Sequence, residues 1–175
     1  MKTSIALIGF MGAGKTAVGK RLAEKLGKDF VEMDALIERK AGKTIPQIFQ
    51  QDGEIPFREL EIEAAKEASE KKNVVIACGG GVVLNNINID RLRQESLVVY
   101  LKASPEVIVK RTSSDTNERP LLDTANKALS VRELLKFRQP FYERAADITI
   151  DTSKLDIDSV VDRIISKVKA DESFA

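Results

Sequence analysis

The sequence predicts an α/β protein in which a parallel five-stranded sheet lies between two layers of helices. Three observations lead there. Five short runs rich in β-branched residues, Ile5–Ile8, Phe30–Met33, Val74–Ala77, Leu97–Leu101 and Ile148–Ile150, are separated by stretches of helical periodicity. Several of these runs are apolar throughout, as strands covered on both faces are. Strands separated by helices also imply right-handed crossovers, hence a parallel sheet wrapped on both sides.

Each element has a local reason. The first run ends at Gly9, and the next periodic stretch, Lys15–Leu26, places Val18, Leu22 and Leu26 on one face before Gly27 caps it. The second run closes on Val31-Glu32-Met33-Asp34. Two acids spaced i, i+2 at a strand's C-terminal edge point toward the crevice where doubly wound sheets bind ligands. The same residues also read as an ordinary polar helix start, with Asp34 as N-cap. The third run passes through Cys78 into Gly79-Gly80-Gly81. Cys78 reads as a small buried hydrophobe. The last helix is the clearest, with Ile157, Val160, Val161, Ile164, Ile165 and Val168 on one stripe. The polar tail after Lys169 is expected to fray. Thr112–Asn126, rich in Ser, Asp, Asn and Thr, reads as a loop, and in this fold class a loop of that length covers a site.

Composition bounds the chemistry. The 175 residues suit one domain spanning 1–175, with no linker, repeat or low-complexity tract. With 28 basic and 27 acidic side chains, the chain lacks the charge field of a nucleic-acid or membrane-surface binder. There is no histidine and one cysteine. Histidine-based triads, His-ligated zinc and an intrachain disulfide are therefore excluded. The apolar start is cut at Gly9–Gly14, well short of an export signal, and no run approaches a membrane span. These features lead to the expectation of a cytoplasmic protein.

The sharpest motif follows the first strand. Gly9-Phe10-Met11-Gly12-Ala13-Gly14-Lys15-Thr16 fits G-x-x-x-x-G-K-[ST] at every fixed position. Glycines let successive N–H groups turn inward around a phosphate, and the helix behind offers its positive N-terminus to the same charge. Lys15 would reach the β- and γ-phosphates, and the Thr16 hydroxyl would ligate Mg²⁺. A chance match in a chain this long is expected about once in a few hundred. The motif implies nucleotide binding without naming a second substrate. No Asn-Lys-x-Asp base reader is present, which disfavours a GTPase.

Six pieces then occur in order: this loop, the acidic pair, Gly53-Glu54-Ile55-Pro56-Phe57-Arg58-Glu59-Leu60-Glu61, Gly79-Gly80-Gly81-Val82-Val83, Arg119-Pro120-Leu121-Leu122 and Arg138-Gln139-Pro140-Phe141-Tyr142. Together they resemble shikimate kinase, and the resemblance runs from about Ile5 to the last helix. It implies a three-layer P-loop kinase fold, with a substrate-binding helical region at about 34–61 and a lid at about 112–126. It also implies transfer of the γ-phosphoryl group of ATP to the 3-hydroxyl of shikimate, with Mg²⁺.

On this resemblance Lys15, Asp34 and Arg119 would be catalytic. Gly12, Ala13, Gly14, Lys15, Thr16, Ala17, Arg111, Arg119 and Lys154 would hold ATP, with Arg111 stacked on the base. Asp34, Arg58, Gly79, Gly80, Gly81 and Arg138 would hold shikimate. The two guanidinium groups suit its carboxylate, and Glu61, one turn after Arg58, would orient that arginine. Thr16 and Glu32 would serve the metal, Glu32 directly or through water. The family usually has Asp where this chain has Glu32. The implied partners are ATP and shikimate, acting on a monomer, with no nucleic acid or membrane. Two other readings stay open on the residues: a P-loop kinase for another small hydroxy acid such as gluconate, and a degenerate relative that binds nucleotide to regulate a partner.

Overall fold

The computed structural model describes residues 1–113 and 126–175. Five strands, β1 (Ser4–Ile8), β2 (Asp29–Glu32), β3 (Val74–Ala77), β4 (Ser96–Lys102) and β5 (Ile148–Asp151), form one sheet. Their order is β2-β3-β1-β4-β5, and every pairing is parallel. β1, β3 and nearly all of β4 are buried, whereas the edge strands β2 and β5 are partly exposed. This accounts for the uninterrupted apolar runs in the middle of the sheet.

Alternate residues of each strand feed two cores. Ala6, Ile8, Ile76, Val98 and Tyr100 pack on one face with α2 (Met33–Ala41), α4 (Glu54–Ser69), α5 (Asn86–Glu95) and α7 (Lys127–Ala145). Ile5, Leu7, Val75, Val99 and Leu101 pack on the other with α1 (Lys15–Leu26) and α8 (Ile157–Lys169). Two shorter helices complete the described chain, α3 (Ile45–Gln51) and α6 (Pro105–Ser113). Thr44 starts α3 with a capping box, its hydroxyl accepting from Gln47 N and its own N–H donating to the Gln47 side chain.

Three sequence expectations need correction. The second strand stops at Glu32, and Met33 opens α2. The ladder to β3 ends with Glu32 opposite Ala77, because β3 leaves the sheet at Cys78, and Met33 is buried from the helix instead. Thr112 and Ser113 continue α6 rather than beginning a loop. Thr112 is 1 % exposed and its Oγ1 donates to Ile108 O at 2.8 Å, so its hydroxyl is satisfied inside the helix. Third, the tail is docked. Lys2 N donates to Ser173 O at 2.6 Å and Ala175 N donates to Lys2 O at 2.9 Å. Phe174 packs against the α1–α8 core, with Lys28 Nζ 5.3 Å from its ring centre.

Candidate active site

The ends of β1 and β3 open into a cleft of about 1160 Å³. One wall is the phosphate loop. Gly14, at φ 93°, occupies the left-handed region just before α1, and a Cβ on Gly9 would come within 2.7 Å of the Leu101 carbonyl oxygen. No side chain caps the start of α1 and no acid lies in its first turn. Its first N–H groups are thus left to an anion. Lys15 Nζ donates to Gly9 O at 2.6 Å and to Phe10 O at 3.0 Å, which holds the ammonium over the loop.

Beside it Thr16 Oγ1 donates to Glu32 Oε1 at 3.0 Å. Both acids of the pair line the cleft, Glu32 from the end of β2 and Asp34 from the first turn of α2. The i, i+2 strand argument therefore does not explain their convergence. The turn from strand to helix does.

The other wall collects charge around the glycine triplet. Arg58 Nη1 donates to Glu61 Oε1 at 3.0 Å and Oε2 at 3.2 Å, and Nη2 donates to Glu54 Oε1 at 3.2 Å. Glu61 is 2 % exposed. Burial raises its carboxyl above the ordinary value, opposed by attraction to Arg58. A Cβ on Gly79 would lie 3.1 Å from Asp34 Oδ1, and one on Gly80 would lie 3.3 Å from Arg138 Nη1. One on Gly81 would collide with the Arg58 guanidinium. Each glycine thus leaves room for one of these charged groups, which a Cβ at that position would crowd.

Arg138 is the unusual member. It is 2 % exposed, yet among the described residues no carboxylate lies within ion-pair distance of it. Its Nε has no partner, and its guanidinium sits 5.8 Å from the Phe10 ring centre. A buried cation without a counter-charge is costly unless something anionic meets it. Arg138 lines the cleft, so that anion can come from there.

The nucleotide side is joined by Arg111. Its Nη1 donates to Gly12 O at 3.3 Å and its Nη2 to Thr152 O at 3.3 Å, tying the phosphate loop to the turn after β5. Gly12, Gly14, Lys15, Thr16, Ala17 and Arg111 line the cleft. Ala13 is buried beneath it in the second core, with its N–H donating to Phe10 O at 3.1 Å. Lys154 is exposed in the turn after β5 and is not among the lining residues. Arg119 and most of the expected lid lie outside the described residues.

Sequence reasoning missed several contributors. Phe49 and Phe57, with ring centres 4.6 Å apart, form an apolar wall between α3 and α4. Thr152 anchors Arg111, and the Tyr142 hydroxyl donates to Gly80 O at 2.5 Å. The aromatic pair reads in sequence as plain core; Tyr142 closes the last of the six pieces and Thr152 lies in the turn Asp151–Lys154 that resembles the loop bordering the base, but neither contact is marked locally. Cys78 is as read: buried, with its thiol pushed up to about 12 by burial.

A family model described as shikimate kinase matches residues 11–169. The chain belongs to the shikimate kinase family. The shikimate kinase of Caldanaerobacter subterraneus is 49% identical over 162 residues, covering 93% of this chain and 94% of that one. That of Thermodesulfovibrio yellowstonii is 47% identical over 164 residues, covering 94% of each chain. Among solved structures, shikimate kinase from Acinetobacter baumannii in complex with shikimate superposes with a TM-score of 0.93 at 40% identity, covering 99% of this chain and 96% of that one. The five-stranded parallel sheet and its helical layers are those expected of this kinase family.

Proposed function

We propose that this chain transfers the γ-phosphoryl group of ATP to the 3-hydroxyl of shikimate, giving shikimate 3-phosphate and ADP in the biosynthesis of chorismate and the aromatic amino acids. The observation that carries the reading is the buried Arg138, without an acidic partner among the described residues, facing the same cleft as Arg58 across Gly80 and Gly81. Two guanidinium groups converging on one space make a carboxylate slot, because a planar fork matches a carboxylate bidentately. Glu54 and Glu61 hold Arg58 in position for it.

The rest of the cleft fits the same chemistry. Asp34, beside Gly79, orients the attacking hydroxyl and accepts its proton. Little proton transfer is needed early in a loose phosphoryl transition state, so positioning is its main contribution. Gly12, Gly14 and the start of α1 cradle the phosphates, and Lys15 offsets the charge of the transferred group. Arg111 supports the base, and Arg119 in the lid would meet charge on the phosphates and exclude water.

Thr16 and Glu32 suit Mg²⁺, a hard cation that takes one or two protein oxygens and keeps several waters. Their 3.0 Å contact places hydroxyl and carboxylate side by side at the phosphate loop. Held by these two side chains, Mg²⁺ would supply positive charge to offset that of the phosphates. The same reading extends to a monomer acting in the cytoplasm, a setting consistent with family membership. No described helix is long and apolar enough to cross a membrane.

The test is a coupled assay of ADP release with Mg·ATP, run with shikimate, with gluconate and with neither. Shikimate alone should give saturable turnover. Arg58→Ala and Arg138→Ala should raise its KM roughly thirty- to several-thousand-fold, because each strips a charged partner worth about 2–5 kcal/mol. Turnover with gluconate but not shikimate would overturn the substrate, and ATP binding without turnover would favour a regulatory relative.

A further inference from the structure

Tyr142 is the one fully buried hydroxyl-bearing side chain that reaches the glycine triplet among the described residues. Its phenol oxygen donates to Gly80 O at 2.5 Å, and the Arg138 guanidinium, one turn earlier on α7, lies against the same glycine, with Nη1 3.3 Å from where a Gly80 Cβ would stand. Its ring stacks on Tyr100 of β4, with centres 5.1 Å apart and planes at 22°. A single hydroxyl therefore holds the peptide against which the buried arginine rests. The ring that carries it is clamped between α7 and the sheet.

This arrangement answers two structural problems. Gly80 lies in a glycine run with no side chains to hold its peptide orientation, and glycine is the most conformationally permissive residue. Arg138 has a long, rotamer-rich side chain that no carboxylate among the described residues holds by an ion pair, and its Nε is unbonded there. We propose that Tyr142 is a positioning residue for shikimate. Its hydroxyl fixes the Gly80 peptide and the Arg138 guanidinium relative to each other, so that the carboxylate slot is formed before the substrate arrives. Preorganisation of this kind acts on binding of the group concerned and leaves the phosphate loop untouched. The inference rests on the shikimate reading above. Wild-type turnover with shikimate tests that reading by itself, so a normal KM in a Tyr142 variant counts against Tyr142 alone.

The test uses Tyr142→Phe, which keeps the ring and its stacking, beside Tyr100→Phe as control. Tyr142→Phe should raise the shikimate KM roughly 5- to 20-fold, the lower part of the range for leaving a buried carbonyl without its donor. The ATP KM should stay within about twofold and kcat within about threefold, while Tyr100→Phe should leave the shikimate KM unchanged. Equal changes in both KM values, no change in either, or the same effect from Tyr100→Phe would overturn the proposal. A second measurement covers a variant that fails to fold. The chain has 2 tyrosines, so 3-fluorotyrosine labelling gives two fluorine resonances, assigned through Tyr100→Phe. Shikimate should move the Tyr142 resonance more than the Tyr100 resonance. A shift confined to Tyr100, or equal shifts in both, would contradict it.

Discussion

Gly81→Ala perturbs the geometry of the carboxylate slot through a side chain rather than through the backbone. The Gly81 backbone, at φ −99° and ψ 4°, is open to alanine, so no backbone strain is introduced. The added Cβ would lie 2.7 Å from Arg58 Cζ and 2.8 Å from Nη2, against 3.4–4 Å for ordinary contact. Nη1 lies closer still and would overlap the new Cβ outright, so the guanidinium must retreat by more than about 1 Å before reaching ordinary contact. Because it is the free end of a flexible side chain, the retreat leaves the backbone in place. It does, however, stretch the 3.0 and 3.2 Å bonds to Glu61 and pull the fork out of the slot. Losing one hydrogen bond to a charged group is worth about 1.5–3 kcal/mol, or about 10- to 150-fold in the shikimate KM. The ATP KM should stay within about twofold, and the melting temperature should fall by about 3–12 °C through the strained Arg58–Glu61 pair. Steady-state kinetics with each substrate varied in turn, beside a thermal melt, decide it. An unchanged shikimate KM would refute the reasoning, as would an equal loss for ATP. Gly9→Ala is the contrast: its Cβ meets the Leu101 carbonyl at 2.7 Å, a backbone atom that cannot swing away, so that variant should lose stability through the backbone instead.

Two further outcomes are expected. Glu61 has its carboxyl raised above 4.5 chiefly by burial, so its contribution to stability is present below that pH and is lost as pH rises through the raised value. The melting temperature of Glu61→Gln relative to wild type should therefore climb from about pH 4.5 upward and then level off; a relative fall over that range would mean that attraction to Arg58 outweighs burial. Cys78, with its thiol pushed up to about 12, should resist iodoacetamide at pH 8 in the folded protein and react after denaturation, and fast labelling of the native chain would contradict its burial.

Much of this was legible because it is local. The phosphate loop is a contiguous motif whose glycines and lysine must be adjacent, and β1, β3 and β4 announce themselves as runs buried on both faces. The Arg58–Glu61 pair matches helical spacing, although its place in a site came from the resemblance. What escaped depends on distant partners. Nothing in Asp171–Ala175 shows that Phe174 will find the α1–α8 core or that Lys2 will pair with Ser173 and Ala175. The end of β2 is set by where β3 leaves the sheet, not by Met33 itself. Tyr142 looks like one more core aromatic until Gly80, 62 residues away, is brought to its hydroxyl. Resemblance to a family supplied Arg138 as a candidate, but only the fold shows that it is buried without an acidic partner among the described residues.

The central claim is that Arg58 and Arg138 close on a carboxylate beside the glycine triplet. A crystal structure of this chain with shikimate tests it most directly. The carboxylate should lie within hydrogen-bond distance of both guanidinium groups, with the 3-hydroxyl turned toward Asp34 and the phosphate loop. A carboxylate turned to solvent or to Lys15, with either arginine uninvolved, would contradict the account.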